Sequence, residues 1–153
     1  MIIAEILSPT RVQAELKGRT KAEIVVELGH LLADPEAGRS AEQVAAVLRE
    51  RERISSTAIG GGIAIPHGRM TQASAITLAF ARSAAGVDFE SVDAQPTHLF
   101  FALLAPDDAA AQHLKALARI SRILKNDGLR ERLKQLSTAE GLLAAILEED
   151  ARV

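Results

Sequence analysis

The sequence contains no cysteine, tryptophan or tyrosine, and these absences exclude several kinds of site. Without cysteine the chain can form no disulfide, use no thiol nucleophile and bind no metal through sulfur, so the redox compartment stays undecided. Aromatic residues make up only 3% of the chain, which leaves few side chains for stacking against bases or sugars. The net charge of −2 gives no electrostatic case for binding nucleic acid.

Long apolar segments are also missing. No stretch approaches the roughly 20 residues that a membrane-spanning helix needs. The N-terminus carries the acidic Glu5 and no basic segment, unlike a signal peptide. We therefore expect a cytoplasmic protein without direct membrane insertion. The 153 residues are 48% hydrophobic and 25% charged, which is typical of globular proteins and predicts a single domain over residues 1–153.

Motifs for nucleotide, metal and hydrolase sites are absent as well. Gly60-Gly61-Gly62 lacks both the spacing of a dinucleotide motif and the Lys-Ser/Thr pair of a phosphate loop. The histidines His30, His67, His98 and His113 are scattered, and no two have a spacing typical of metal ligands. The chain has no GxSxG nucleophile motif. We accordingly expect neither a cofactor nor a metal.

Three segments have the patterns of β-strands. Polar and apolar residues alternate over residues 11–16, which favours a half-buried strand. Residues 76–81 form a second candidate. Residues 97–105 are the most apolar run of the chain, lie between two prolines and predict a buried central strand.

Helix signals lie between and after these strands. Thr20 and Ser40 each precede an apolar stripe of helical spacing, with Glu or Gln three residues later, and so predict capping boxes. Asp107 or Asp108 is expected to begin the long helix that carries His113. The order of elements predicts an α/β fold with three or four strands among about five helices.

Residues 60–69, with the sequence GGGIAIPHGR, are the most unusual stretch. Glycine permits backbone conformations and close approaches that a Cβ forbids, and proline fixes φ and removes a donor. The pattern predicts a strand that ends at Pro66 and presents His67 on a tight, backbone-rich ledge. The alternative is a surface histidine in a plain turn, and these residues alone leave both interpretations open.

A nucleophilic histidine is the chemistry that this composition leaves available. Neutral imidazole carries a lone pair at physiological pH and forms covalent intermediates. A phosphoryl group bound to it needs hydrogen-bond donors that stabilise its charge. The glycine backbone, the hydroxyls of residues 55–57, and Arg51 or Arg53 are candidates for those donors. His113 is a candidate second imidazole that would hydrogen-bond the first and set its tautomer.

Residues 51–68, RERISSTAIGGGIAIPHG, resemble the active-site signature of the enzyme IIA proteins of the bacterial phosphoenolpyruvate-dependent phosphotransferase system. The match is to the fructose/mannitol type and is closest to its nitrogen-regulatory branch. Similar segments at residues 6–9 with Val12, at residues 100–106 and at His113-Leu114 extend the resemblance over nearly the whole chain. The resemblance implies a mixed central β-sheet flanked by helices, the mannitol-type enzyme IIA fold.

The same resemblance implies roles for individual residues. His67 would accept a phosphoryl group through Nε2 from the phosphocarrier protein HPr or its nitrogen-branch counterpart. Arg51 matches the arginine that faces the phosphoryl group, His113 a second active-site histidine, and Thr57 a hydroxyl in the pocket. The sequence departs from the family at Gly61, where Asn or Glu is common, so that position is assigned no role.

Three functions fit these residues. The first is a phosphoryl carrier that regulates a target protein; potassium transporters and sensor kinases are targets in relatives. The second is a sugar-specific enzyme IIA that passes the phosphoryl group to a separate IIB. The third is an interaction module that has lost phosphorylation, which the presence of Arg51, His67 and His113 argues against. Transfer from another phosphohistidine mainly requires that two imidazoles be positioned in line, without nucleotide or metal.

Overall fold

The computed structural model describes residues 2–73 and 75–153 and has a mixed α/β architecture. Short 3₁₀ turns at Ile3–Glu5 and Pro35–Ala37 accompany the main elements. The strands are β1 (Leu7–Gln13), β2 (Ala58–Gly60), β3 (Ile63–Ala64), β4 (His67–Met70), β5 (Thr77–Val87) and β6 (Thr97–Pro106). The α-helices are α1 (Lys21–Leu32), α2 (Ala41–Ile54), α3 (Ala110–Ile123), α4 (Asp127–Gln135) and α5 (Ala139–Asp150).

The strands form one mixed sheet in the order β1-β5-β6-β3-β2, with β4 also paired to β6. β6 is the central strand, as its apolar sequence predicts. It runs antiparallel to β5 and parallel to both β3 and β4, which lie one after the other along the same edge. β1 pairs in parallel with β5 at one side of the sheet, and β2 pairs antiparallel with β3 at the other.

Two apolar layers cover the two faces of the sheet. Leu99, Phe101 and Leu103 of β6 pack in the layer that contains α3, α4 and α5. The alternating residues Phe100, Ala102 and Leu104 pack in the layer that contains α1 and α2. Because successive side chains of a strand point to opposite faces, this continuous apolar run supplies both layers. Burial of each large apolar side chain stabilises the fold by about 1.5–3 kcal/mol.

The predicted fold class is confirmed, but some element boundaries differ. The first strand is β1 at Leu7–Gln13 and not residues 11–16. Pro9 lies within β1, where the register shifts between Leu7 and Val12. Proline is tolerated there because β1 is an edge strand with an irregularity at that point. β5 continues to Val87, beyond the predicted end at residue 81.

The helix caps agree with the sequence at two positions and disagree at a third. Ser40 and Gln43 form the predicted capping box of α2. Thr20 caps α1 as predicted, although the Glu23 side chain accepts from the backbone N–H of Arg19 instead of completing the box. The predicted cap at Asp107 or Asp108 is wrong: α3 begins after Ala109, without a side-chain cap among the described residues.

None of the helices described in residues 2–73 and 75–153 is long and apolar enough to cross a membrane.

Candidate active site

His67 is positioned by a break between two short strands. Ile63 and Ala64 form β3 and are buried beside β6. Ile65 and Pro66 interrupt the pairing, and β4 resumes at His67, opposite Leu103. The Pro66 carbonyl accepts a hydrogen bond from the Leu103 N–H at 2.9 Å. The prediction that Pro66 ends the strand is therefore only half right, because His67 is the first residue of a new strand on the same edge.

A cleft of about 630 Å³ surrounds His67. Its walls come from the C-terminal half of α2, from β4 and from the start of α3, and the residues that line it are Val47, Glu50, Arg51, Ile54, His67, Gly68, Arg69, Ala110, His113 and Leu114. Gly68 allows α2 to approach β4 closely, since a Cβ there would lie 2.4 Å from Val47 Cγ1. The glycine after the histidine is thus a packing requirement of the site.

The imidazole of His67 is held in one tautomer. Its Nδ1 lies 2.7 Å from the carbonyl oxygen of Ile65. A carbonyl only accepts hydrogen bonds, so Nδ1 carries the proton and Nε2 keeps its lone pair. Burial lowers the pKa of His67, the bond to Ile65 opposes that effect, and the charge of Arg51 lowers it further. His67 therefore presents a neutral imidazole with a free Nε2 lone pair at physiological pH.

His113 of α3 is the predicted second histidine, and the structure brings it to His67. The ring centroids are 5.3 Å apart and the ring planes meet at 78°. His113 is only 7% exposed, and its Nε2 has no hydrogen-bond partner among residues 2–73 and 75–153. Burial, together with the charges of His67 and Arg69, lowers its pKa to about 4. Ile65, and not His113, contacts Nδ1 of His67, so the idea that His113 sets the tautomer is wrong.

Arginines supply positive charge to the cleft. Arg51 lines it, and one of its guanidinium nitrogens donates to the Ser55 carbonyl at 2.9 Å. The alternative candidate, Arg53, is exposed and does not line the cleft, although it pairs with the lining residue Glu50. Sequence reasoning missed Arg69, which lies two residues after His67 in β4. Residues two apart share a face of a strand, and that spacing is the signal that was available.

Thr57 and the three glycines lie outside the cleft lining. Thr57 is buried, and its hydroxyl donates to Glu52, which contradicts the expected hydroxyl donor in the pocket. Gly60-Gly61-Gly62 forms the turn from β2 to β3 with positive φ at all three residues. The N–H of Gly61 donates to Asp93, and none of the three glycines lines the cleft around His67. The expectation that their backbone N–H groups would stabilise a phosphoryl group there is therefore not met.

Two large apolar side chains at the cleft are exposed. Ile54 is 78% exposed at the end of α2, and Leu114 is 68% exposed in the first turns of α3. The Leu114 side chain points away from the core. Exposed apolar side chains around a polar cleft are typical of a protein-binding surface. Within the described residues, no group of three or more His, Asp or Glu side chains is arranged to hold a metal.

Comparison with known proteins identifies the family to which the chain belongs. The model of the family described as "Phosphoenolpyruvate-dependent sugar phosphotransferase system, EIIA 2" matches residues 5–149. The chain belongs to this family. It is therefore a phosphoryl-carrying component of a phosphotransferase system, a family whose members receive phosphoryl groups from phosphocarrier proteins. The resemblance seen in residues 51–68 is confirmed over nearly the whole chain.

The relatives place the chain within the EIIA 2 family. A "Nitrogen regulatory protein" of Bradyrhizobium diazoefficiens is 38% identical over 146 residues, covering 95% of each chain. The crystal structure of the nitrogen regulatory protein IIA-Ntr of Neisseria meningitidis superposes with a TM-score of 0.88 at 34% identity, covering 94% of this chain and 98% of that one. The Escherichia coli mannitol IIA, at 20% identity and 91% and 97% coverage, shares the fold with a TM-score of 0.74.

Proposed function

We propose that His67 is the residue that carries the phosphoryl group, bound through Nε2, and that the phosphorylation state of the protein regulates a target. In the transfer step, the Nε2 lone pair attacks the phosphorus of a phosphohistidine on the donor protein. The new N–P bond forms as the donor N–P bond breaks, and the electron pair of that bond returns to the donor imidazole. His67 keeps its proton on Nδ1, so the step requires no base.

The observation that carries this proposal is the hydrogen bond from Nδ1 of His67 to the carbonyl of Ile65. It leaves Nε2 as the one nucleophilic ring nitrogen. The lowered pKa of His67 keeps that nitrogen free of a proton at neutral pH. Preorganisation of this kind removes the need to select a tautomer before the reaction.

Two groups beside His67 fit a bound phosphoryl group. The guanidinium of Arg51 is a charged donor, and charge-assisted hydrogen bonds to phosphoryl oxygens are strong. The buried Nε2 of His113 lacks a partner in the described part of the chain, and a phosphoryl oxygen would provide one. The low pKa of His113 keeps it neutral, so it would act as a positioned donor and not as a charge.

The donor is proposed to be HPr or a nitrogen-branch phosphocarrier protein. The apolar rim formed by Ile54 and Leu114 would contact such a carrier around the exposed side of the cleft.

The nitrogen regulatory names of the relatives support a regulatory role over a sugar-specific one. A potassium transporter or a sensor kinase is the proposed class of target. The cytoplasmic location inferred from the sequence stays a prediction.

Mass spectrometry tests the phosphorylation site. The protein is incubated with phosphoenolpyruvate, enzyme I and the carrier, and intact mass and peptide maps are recorded. We expect one acid-labile phosphoryl group on wild type and on the control His30→Gln, which changes an exposed histidine of α1, and none on His67→Gln. Equal uptake by wild type and His67→Gln would overturn the assignment.

The regulatory role is tested by transfer and by affinity capture. Phosphorylated protein is mixed with a fructose-type IIB, and the unphosphorylated and phosphorylated forms are used separately to retain partners from an extract of the source bacterium. If the protein is a regulator, at least one partner should bind only its phosphorylated or only its unphosphorylated form. Transfer of the phosphoryl group to IIB should then be slow. Fast, complete transfer to IIB with identical partners for both forms would favour the sugar-specific function.

A further inference from the structure

A buried carboxylate lies behind the active site and takes no direct part in it. Glu52 follows Arg51 in α2, but its side chain points into the protein and is only 5% exposed. It is held by three donors: Lys21 Nζ at 3.0 Å, the backbone N–H of Thr57 at 3.1 Å, and the Thr57 hydroxyl. A buried charge is costly unless it is paired, so this cluster is strongly constrained.

The cluster is connected to His67 through Thr57 and Ile65. The backbone carbonyl of Thr57 accepts a hydrogen bond from the N–H of Ile65 at 3.1 Å. The carbonyl of Ile65 in turn accepts a hydrogen bond from Nδ1 of His67. Ile65 lies in the gap between β3 and β4, so its bond to Thr57 helps to hold the backbone where the sheet ladder is interrupted, together with burial of the Ile65 side chain in the core.

We infer that Glu52 is a positioning residue for phosphoryl transfer: it fixes Thr57, Thr57 fixes Ile65, and Ile65 fixes the orientation and tautomer of His67. Lys21 of α1 anchors the far end of this chain of contacts, where it also pairs with Glu90 at 2.9 Å and lies 4.8 Å above the Phe89 ring. The inference rests on His67 being the phosphoryl acceptor. The inference also gives Thr57 a role, which is to hold Ile65 in place and not to contact the phosphoryl group directly.

Electrostatics is consistent with this connection. The negative charge of Glu52 raises the pKa of His67, whereas the neighbouring Arg51 lowers it. Hydrogen bonds with Glu90 and Glu52 raise the pKa of Lys21 above its ordinary value, despite the opposing effect of burial, so the ammonium stays charged. The charged and titratable groups around His67 are Glu50, Arg51 and Glu52 on α2, Arg69 on β4 and His113 on α3.

The test uses variants that change one contact each. Glu52→Gln keeps the shape and removes the charge, and Glu42→Gln makes the same charge change at an exposed position of α2. Thr57→Val removes the hydroxyl that donates to Glu52, and Thr57→Ser retains it. Circular dichroism and urea denaturation show whether each variant is folded. If Glu52→Gln does not fold, the Thr57→Val and Thr57→Ser pair decides the question.

Nitrogen NMR of the unphosphorylated protein reports the tautomer and pKa of His67, and quenched-flow labelling reports its rate of phosphorylation. We expect Glu52→Gln to lower the pKa of His67, to mix its tautomers and to slow phosphorylation about 10-fold or more, because a misplacement of about 1 Å can cost about 100-fold. Thr57→Val should show a smaller change in the same direction, while Thr57→Ser and Glu42→Gln should match wild type.

A purely structural role gives a different result. If Glu52→Gln and Thr57→Val lower stability but leave the tautomer, the pKa and the phosphorylation rate of His67 unchanged, the positioning role is wrong. The NMR measurement needs no phosphorylation. It therefore separates failure of this inference from failure of the proposed function, which the His67→Gln labelling experiment detects independently.

Discussion

Acidification should destabilise the protein through His113. Its pKa is lowered to about 4, by burial first and then by the charges of His67 and Arg69. In the unfolded chain a histidine titrates near 6.5. Between these two values the unfolded state binds a proton that the native state does not, so the free energy of unfolding falls as the pH falls from 6.5 toward 4. The gap between the two pKa values corresponds to roughly 3 kcal/mol.

Urea denaturation at a series of pH values between 7 and 4 measures this effect. The carboxylates that titrate in the same range are common to wild type and His113→Gln, so the difference between the two proteins isolates the imidazole. We expect wild type to lose roughly 3 kcal/mol more than His113→Gln over this range. His30→Gln makes the same chemical change away from the cleft. Equal losses in wild type and His113→Gln would refute the reasoning.

Three further substitutions have defined outcomes. Gly68→Ala would place its Cβ 2.4 Å from Val47 Cγ1, so it should displace β4 from α2, cost about 1–3 kcal/mol and slow phosphorylation, as denaturation and labelling would show. Leu103→Ala removes a fully buried side chain of β6 and should cost about 2–5 kcal/mol in urea denaturation. Arg69→Gln removes a charge that lowers the pKa of His113, so that pKa should rise in an NMR titration.

The sequence correctly predicted the elements that depend on residues close together in the chain. Ser40 and Thr20 cap their helices because the cap and its N–H partner are only three residues apart. The apolar residues 97–105 predicted the central strand because β6 supplies side chains to both core layers. The Asp107 or Asp108 cap failed because the chain makes a turn after β6 in which the Ala109 N–H donates to the Pro106 carbonyl.

The site was predicted less completely, because several of its contacts depend on the folded geometry and leave no pattern in the sequence. His67, His113 and Arg51 meet in one cleft, as the resemblance implied. Thr57 carries a hydroxyl that could donate a hydrogen bond to a phosphoryl group, but this hydroxyl donates to Glu52 instead, and no local pattern reveals that pairing. The carbonyl of Ile65 that fixes the tautomer is a backbone group, so side-chain chemistry could not indicate it.

The most direct test of the central claim is the identification of the phosphorylated nitrogen. Long-range proton–nitrogen NMR of the protein after phosphoryl transfer distinguishes the two ring nitrogens of each histidine. Because Nδ1 of His67 donates to the Ile65 carbonyl, we predict phosphorus on Nε2 of His67, with Nδ1 still protonated and His113 unmodified. Phosphorus on Nδ1 of His67, or on His113, would contradict the account.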